Sequence, residues 1–182
     1  MMKHSIEQFH EQFSFEPHIE HASSLGRFSR FAVIGMGGSN LTAPLLKIVH
    51  PALDLFVHRS YGLPNLPEHD LRERLIICAS YSGNTEETLD AFRAAKASRL
   101  PLAVMSTGGA LLAYAKEAKV PYGCLPKTPG LQPRLSLGLQ LMALLALMVK
   151  KEEMRSVAAL AHTLREQDTE AQGKELAQKL HL

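Results

Sequence analysis

Leu75-Ile76-Ile77-Cys78-Ala79 runs directly into Ser80-Tyr81-Ser82-Gly83-Asn84-Thr85-Glu86-Glu87-Thr88, and this junction decides how the chain is read. The first five residues are an unbroken apolar run, the mark of a strand buried on both faces. From Thr88 to Ala95 the apolar residues fall at helical spacing. The hydroxyl-rich segment between them is therefore a loop from a strand end into a helix N-terminus. There, unpaired N–H groups and the helix dipole favour an anion. Ser80, Ser82 and Thr85 bring three hydroxyls to that turn, and Gly83 lets backbone approach a ligand closely. The loop holds no lysine or arginine, so hydroxyls and dipoles must hold the anion, and a sugar phosphate suits them. Helix capping by Asn84 or Thr85, completed by Glu87 or Thr88, is the competing reading. Capping needs one hydroxyl; three exceed it.

The same alternation extends along the chain. Strands are expected at 31–34, 53–57, 75–79 and 102–105, with a short fifth around 120–125. Helices are expected at 41–49, 88–95 and 110–118, then a long one from about Arg134 to Lys150, and two more at 152–166 and 170–180. Residues 1–30 read as a weakly patterned helical segment ended by Gly26. Strands alternating with helices predict a parallel five-stranded sheet in a three-layer α/β/α sandwich. Ligands in such folds sit beyond the carboxyl ends of the strands, where strand order reverses. Three glycine- or hydroxyl-rich loops, 35–40, 80–85 and 106–109, fall on that rim.

Composition narrows the function classes. A chain of 182 residues with 46% hydrophobic residues can bury one good core. A net charge of +2 with mixed signs gives no basic face for nucleic acid. The longest apolar stretch, Leu135–Val149, is interrupted by Ser136, Gly138 and Gln140 and is too short for a membrane span of roughly 20 residues. It reads as a helix buried on most of its surface, in a core or against a partner. Cys78 and Cys124 show no metal spacing and read as two reduced thiols of a cytoplasmic protein. No histidine array suggests a metal.

Gly35-Met36-Gly37-Gly38-Ser39-Asn40 invites a dinucleotide reading, but Asn40 stands where G-x-G-x-x-G needs its third glycine. The acid expected after the second strand is also missing; His58-Arg59 stand there, and an arginine could meet the 2′-phosphate of NADP. The preferred reading makes Gly37, Gly38 and Ser39 a wall of the sugar pocket. Arg134 follows the stiff Gly130-Leu131-Gln132-Pro133 segment at a helix start, where a cation is mildly unfavourable. That hints at a role other than surface charge.

Taken in order, Gly35-Met36-Gly37-Gly38-Ser39, Tyr61-Gly62-Leu63-Pro64, Ser80 to Thr88 and Leu131-Gln132-Pro133-Arg134 resemble the N-terminal sugar-isomerase (SIS) domain of bifunctional phosphoglucose/phosphomannose isomerases. The resemblance runs from about residue 30 onward and implies a flavodoxin-like SIS fold. It implies a hexose 6-phosphate ligand interconverted with fructose 6-phosphate through a cis-enediol, without metal or organic cofactor. Ser80, Ser82 and Thr85 would bind the phosphate, Gly37, Gly38 and Ser39 would line the sugar, and Arg134 would help stabilise charge during proton transfer. The base glutamate and ring-opening histidine of the family lie in a second SIS domain. The expected organisation is thus an N-terminal segment (1–30), an SIS domain (31–150), and C-terminal helices (151–182) leading toward that absent domain. Such a chain would bind substrate yet be catalytically incomplete alone, with a homodimer or separate second domain as partner. A non-catalytic regulatory SIS module is the alternative.

Overall fold

The sheet consists of β1 (Ile19–Glu20), β2 (Arg30–Gly35), β3 (Asp54–His58), β4 (Arg74–Ala79), β5 (Leu102–Ser106) and β6 (Tyr122–Cys124), laid side by side as β1-β6-β5-β4-β2-β3. The computed structural model describes residues 2–165 and 169–180. β2 to β6 run parallel, in the order second-first-third-fourth-fifth of the flavodoxin pattern. The sheet has six strands rather than five, because β1 adds an antiparallel edge by pairing Ile19 with Gly123 and Glu20 with Tyr122. Two residues are too few to show an alternating pattern, so this strand has no local signature.

Helices cover both faces. They are α1 (Met2–Glu7), α2 (Thr42–Val49), α3 (Glu68–Arg72), α4 (Glu86–Ala97), α5 (Gly109–Ala118), α6 (Leu137–Leu147), α7 (Lys151–Ala158), α8 (Leu160–Arg165) and α9 (Thr169–Lys179). Alternate side chains of β4 go to opposite layers. Leu75 and Ile77 pack with Leu46 of α2 and Leu144 of α6, while Ile76 and Cys78 pack with Phe92 of α4 and Leu111 of α5. Residues 1–30 are less helical than expected: α1 is followed by 3-10 turns at Phe9–Ser14 and Ala22–Ser24 and by β1. The first of those turns buries Phe13 and packs on α6, α7 and α8. Residue 166, the expected end of a helix from 152, and residues 181–182 lie outside the described residues.

The apolar 135–149 stretch belongs to the core. Gly138–Leu145 and Leu147 are all buried, between the sheet, α2, α7 and the 9–14 turn. It therefore offers no broad face for a partner. The more exposed apolar side chains include Ile48 and Val49 of α2, at 73% and 69% of their free surface.

At the amino ends of the strands an ionic cluster ties three of them together. Arg74 is only 6% exposed and donates to Phe31 O, to Asp54 Oδ1 at 2.5 Å and to Asp70 Oδ2 at 3.2 Å. Arg30 meets Asp54 at 2.7 Å, Glu73 at 2.8 Å, and Asp70. This lies at the end of the sheet opposite the glycine- and hydroxyl-rich loops.

Candidate functional site

The strand order reverses between β2 and β4, and the segments leaving these two strands diverge there. After β4 the chain folds back on Ser80. The Gly83 N–H lies 3.2 Å from the Ser80 carbonyl oxygen and 3.0 Å from Ser80 Oγ, and Ser80 Oγ is 2.8 Å from Thr85 Oγ1. Ser80 is 1% exposed, so its hydroxyl shapes the loop. Ser82 is exposed, accepting from the Asn84 N–H at 3.2 Å, and Thr85 is half-buried. Thr85 is the N-cap residue of α4 yet makes no side-chain capping bond. Pure capping is therefore not what these hydroxyls do. The first-turn N–H groups of α4, which have no intrahelical partner, stay available to an anion or water.

The 106–109 loop is locked against this one. Gly83 adopts φ +74°, and a β-carbon there would stand 1.8 Å from the Gly108 carbonyl oxygen. Thr107 Oγ1 donates to Tyr81 O at 2.7 Å. Asn84 Oδ1 accepts the Ala110 N–H at 3.0 Å and so caps α5 from a different loop. Asn84→Ala is expected to lower stability by about 1 kcal/mol through loss of that cap, measured by thermal melting. Asn84→Asp, which keeps the acceptor, should restore it.

Gly37 to Asn40 form a 3-10 turn between β2 and α2. Ser39 is 5% exposed, and its Oγ accepts the Tyr81 N–H at 2.8 Å, joining this turn to the hydroxyl loop. Gly38 lies against the Pro133–Arg134 backbone; a β-carbon on it would stand 2.6 Å from the Arg134 nitrogen. Gly37 faces open space. Asn40, the residue that departs from the dinucleotide pattern, is 1% exposed and donates through Nδ2 to Gly35 O (2.6 Å) and His58 O (3.0 Å). It braces the ends of β2 and β3, a role that spacing alone did not reveal.

The 61–64 segment reaches the same rim. Tyr61 donates its hydroxyl to Glu86 Oε2 at 3.3 Å, and the Gly62 N–H donates to Asp90 Oδ2 at 2.8 Å. Local desolvation, then the charge of Glu87, raises the Tyr61 hydroxyl above the usual tyrosine range although the residue is more than half exposed. Glu86 and Asp90 are thereby engaged by this segment. Arg134 stands in a 3-10 turn, Pro133–Leu135, ahead of α6 rather than at the expected helix start. Its side chain is exposed and forms no ion pair with a described residue. Backbone contacts and hydrogen bonds thus link the segments carrying Gly37, Gly38, Ser39, Ser80, Ser82, Thr85 and Arg134 into one rim.

A cavity of about 880 Å³ lies elsewhere, between α1, α8 and α9. Ile6, Phe9, Leu164 and Ala177 line it, and several of its charges pair with one another, as Lys3 does with Glu7 and Lys174 with Glu170. It lacks the converging hydroxyls and helix N–H groups of the rim, and volume alone does not outweigh them. No group of three or more metal-ligating side chains occurs among the described residues. Cys78 is buried, which pushes its thiol up to about 12, and Cys124 is free. No helix among the described residues is long and apolar enough to cross a membrane.

No protein-family model matches the chain. Among solved structures, tagatose-6-phosphate ketose/aldose isomerase from Escherichia coli shares its fold, with a TM-score of 0.52 and 17% identity over 78% of this chain and 42% of that one. So does the sugar isomerase domain of the RpiR transcription factor from Sphaerobacter thermophilus, with a TM-score of 0.50 and 16% identity over 91% and 96%. These likenesses give the chain the fold of a sugar-isomerase domain. The curated relatives include the bifunctional phosphoglucose/phosphomannose isomerases of Caldicellulosiruptor bescii and Aquifex aeolicus. The first is 36% identical over 66% of this chain and 35% of that protein; the second is 32% identical over 97% and 54%. The chain's family is that of the bifunctional phosphoglucose/phosphomannose isomerases, and it spans about half the length of the Aquifex relative.

Proposed function

We propose that the chain is the substrate-binding half of an aldose-ketose isomerase and that the rim holds a hexose 6-phosphate. The observation that carries this reading is the uncapped α4 N-terminus under Ser82 and Thr85, with Gly38 and Arg134 in contact across the rim. The phosphate sits on the first-turn N–H groups of α4 and the hydroxyls of Ser82 and Thr85, in a loop shaped by Ser80. The 37–39 turn walls the sugar, with Ser39 contributing mainly through its position because its hydroxyl already holds Tyr81. Arg134, unpaired among the described residues, faces the sugar and the charge that develops at its oxygens during enediol formation.

The resemblance to the isomerase family assigns the carboxylate base and the ring-opening histidine to a second domain of the same kind, while Glu86 and Asp90 of this chain are engaged by Tyr61 and Gly62. The fold is shared with the sugar isomerase domain of a transcription factor, so chemistry must be argued from the site and not from the fold. Calorimetric titration with fructose 6-phosphate tests the binding half of this reading. Removing a hydroxyl that bonds a charged group is worth about 1.5–3 kcal/mol, so Ser82→Ala and Thr85→Ala should each weaken binding about 10- to 100-fold. Unchanged affinity in both variants would refute the placement. In a steady-state assay the isolated chain should show negligible isomerisation, and robust turnover would show that its own residues supply the base and acid.

A further inference from the structure

We infer that Gln12, more than a hundred residues away in sequence, is a positioning residue that sets Arg134 at the rim. The inference rests on the reading that Arg134 faces the sugar. Ser136 occupies the N-cap position of α6 but does not cap it. Its hydroxyl donates instead to Pro133 O at 2.7 Å and accepts from Gln140 Nε2 at 2.7 Å. The orphan N–H groups of α6 go to Gln12: its Oε1 accepts from Gly138 at 3.0 Å and Leu139 at 3.4 Å, while its Nε2 donates to Leu135 O at 2.7 Å. The amide is thus used at both ends, which fixes its orientation. Gln12 is 8% exposed, and Gly138 leaves it room, since a β-carbon there would stand 2.7 Å from Gln12 Cβ.

One side chain therefore ties the end of the Pro133–Leu135 turn, next to Arg134, to the start of α6. Gly38 bears on the Arg134 nitrogen. Gln12 is carried by the 9–14 turn, whose Phe13 is anchored in the core with Phe9 edge-on at 5.4 Å. The N-terminal segment, which carries none of the rim residues itself, thereby reaches the site through one amide. Arg134 is a long side chain on a short turn, and a small backbone shift there moves its guanidinium away from a sugar oxygen.

The test is a double-mutant cycle on the whole chain, using Gln12→Met, Arg134→Ala and the pair, titrated with fructose 6-phosphate and with inorganic phosphate. Gln12→Met keeps the length and apolar stem but removes all three bonds. It should weaken fructose 6-phosphate about 5-fold and leave inorganic phosphate unchanged, because the 80–88 loop is untouched. Arg134→Ala should cost about 30-fold with the sugar phosphate, the scale of a lost charged hydrogen bond. The double variant should be no weaker than Arg134→Ala alone, since coupled residues are non-additive. Losses that multiply, or an equal loss of inorganic phosphate, would mean a general effect on folding and overturn the proposal. So would wild-type affinity in Gln12→Met. If that variant does not fold, Gln12→Glu keeps the acceptors for α6 and loses the donor to Leu135, and the same outcomes decide. Wild-type affinity in Arg134→Ala overturns the reading of the site itself, and the role of Gln12 with it.

Discussion

Gly83→Ala is expected to weaken hexose 6-phosphate binding by at least about 100-fold, more than the loss of one hydroxyl bond. Two costs coincide at this residue. Its φ of +74° is strained for any residue with a β-carbon, worth about 1–3 kcal/mol. The new methyl group would also stand 1.8 Å from the Gly108 carbonyl oxygen and 2.7 Å from Ser106 Oγ. Because that obstacle includes backbone, the 80–85 and 106–109 loops must separate. The separation breaks the bond from Gly83 N–H to Ser80 Oγ and the Asn84 cap on α5, which together give the hydroxyl loop its shape. Gly62→Ala is the control, since φ there is +69° but no atom lies within 4 Å of the added carbon. It should cost backbone strain only. Titration calorimetry on both variants, with melting curves to confirm folding, checks the contrast. Equal affinities would mean the loop contact does not shape the site.

Arg74→Met carries the largest expected loss of stability, about 3 kcal/mol, because removing one member of a buried ion pair leaves its partner uncompensated. Arg30 remains to meet Asp70 and Asp54, which keeps the figure at the low end of that range. A pH signature accompanies it. The Arg74 bond, opposed by desolvation and aided by Arg30, holds the Asp54 carboxyl below its ordinary range. A depressed folded value contributes stability that is present above the unfolded value of about 3.9 and is lost as pH falls through the folded one. The wild type should therefore lose stability below about pH 4, and Arg74→Met should lose less over that window because the main cause of the shift is gone. The Asp54 side chain is 44% exposed, so solvent screening keeps this slope modest. Urea unfolding at neutral and acid pH measures both effects.

The parallel part of the sheet was legible because each strand is a short apolar run closed by glycine or hydroxyl residues. Leu75–Ala79 and Leu102–Met105 are of this kind and fell within β4 and β5. β1 and the five-residue α3 were not legible. The first is too short for a period, and the second follows the Tyr61–Pro67 loop with no apolar stripe of its own. Within the site, the hydroxyl loop was readable from local sequence because it is a local turn. The bracing residues were not: Asn40, Asn84 and Gln12 act on carbonyl and N–H groups that are distant in sequence, so no local pattern marks them. Position 40 gave one usable signal. A polar residue where a glycine motif fails, just before an apolar helix, asks which backbone groups it serves. Arg134 reads as a helix start because it follows the stiff 130–133 segment, whereas Ser136 and Gln140 both donate to Pro133 O and hold a separate turn ahead of α6.

The measurement that bears most directly on the central claim is amide chemical-shift mapping of the isolated chain titrated with fructose 6-phosphate. The largest changes are expected at Ser82 and Thr85–Thr88, with further changes at Gly37–Ser39 and Arg134, all beyond the carboxyl ends of β2 and β4. Changes concentrated instead around Ile6, Phe9 and Ala177, at the cavity between α1 and α9, or no changes at all, would contradict it.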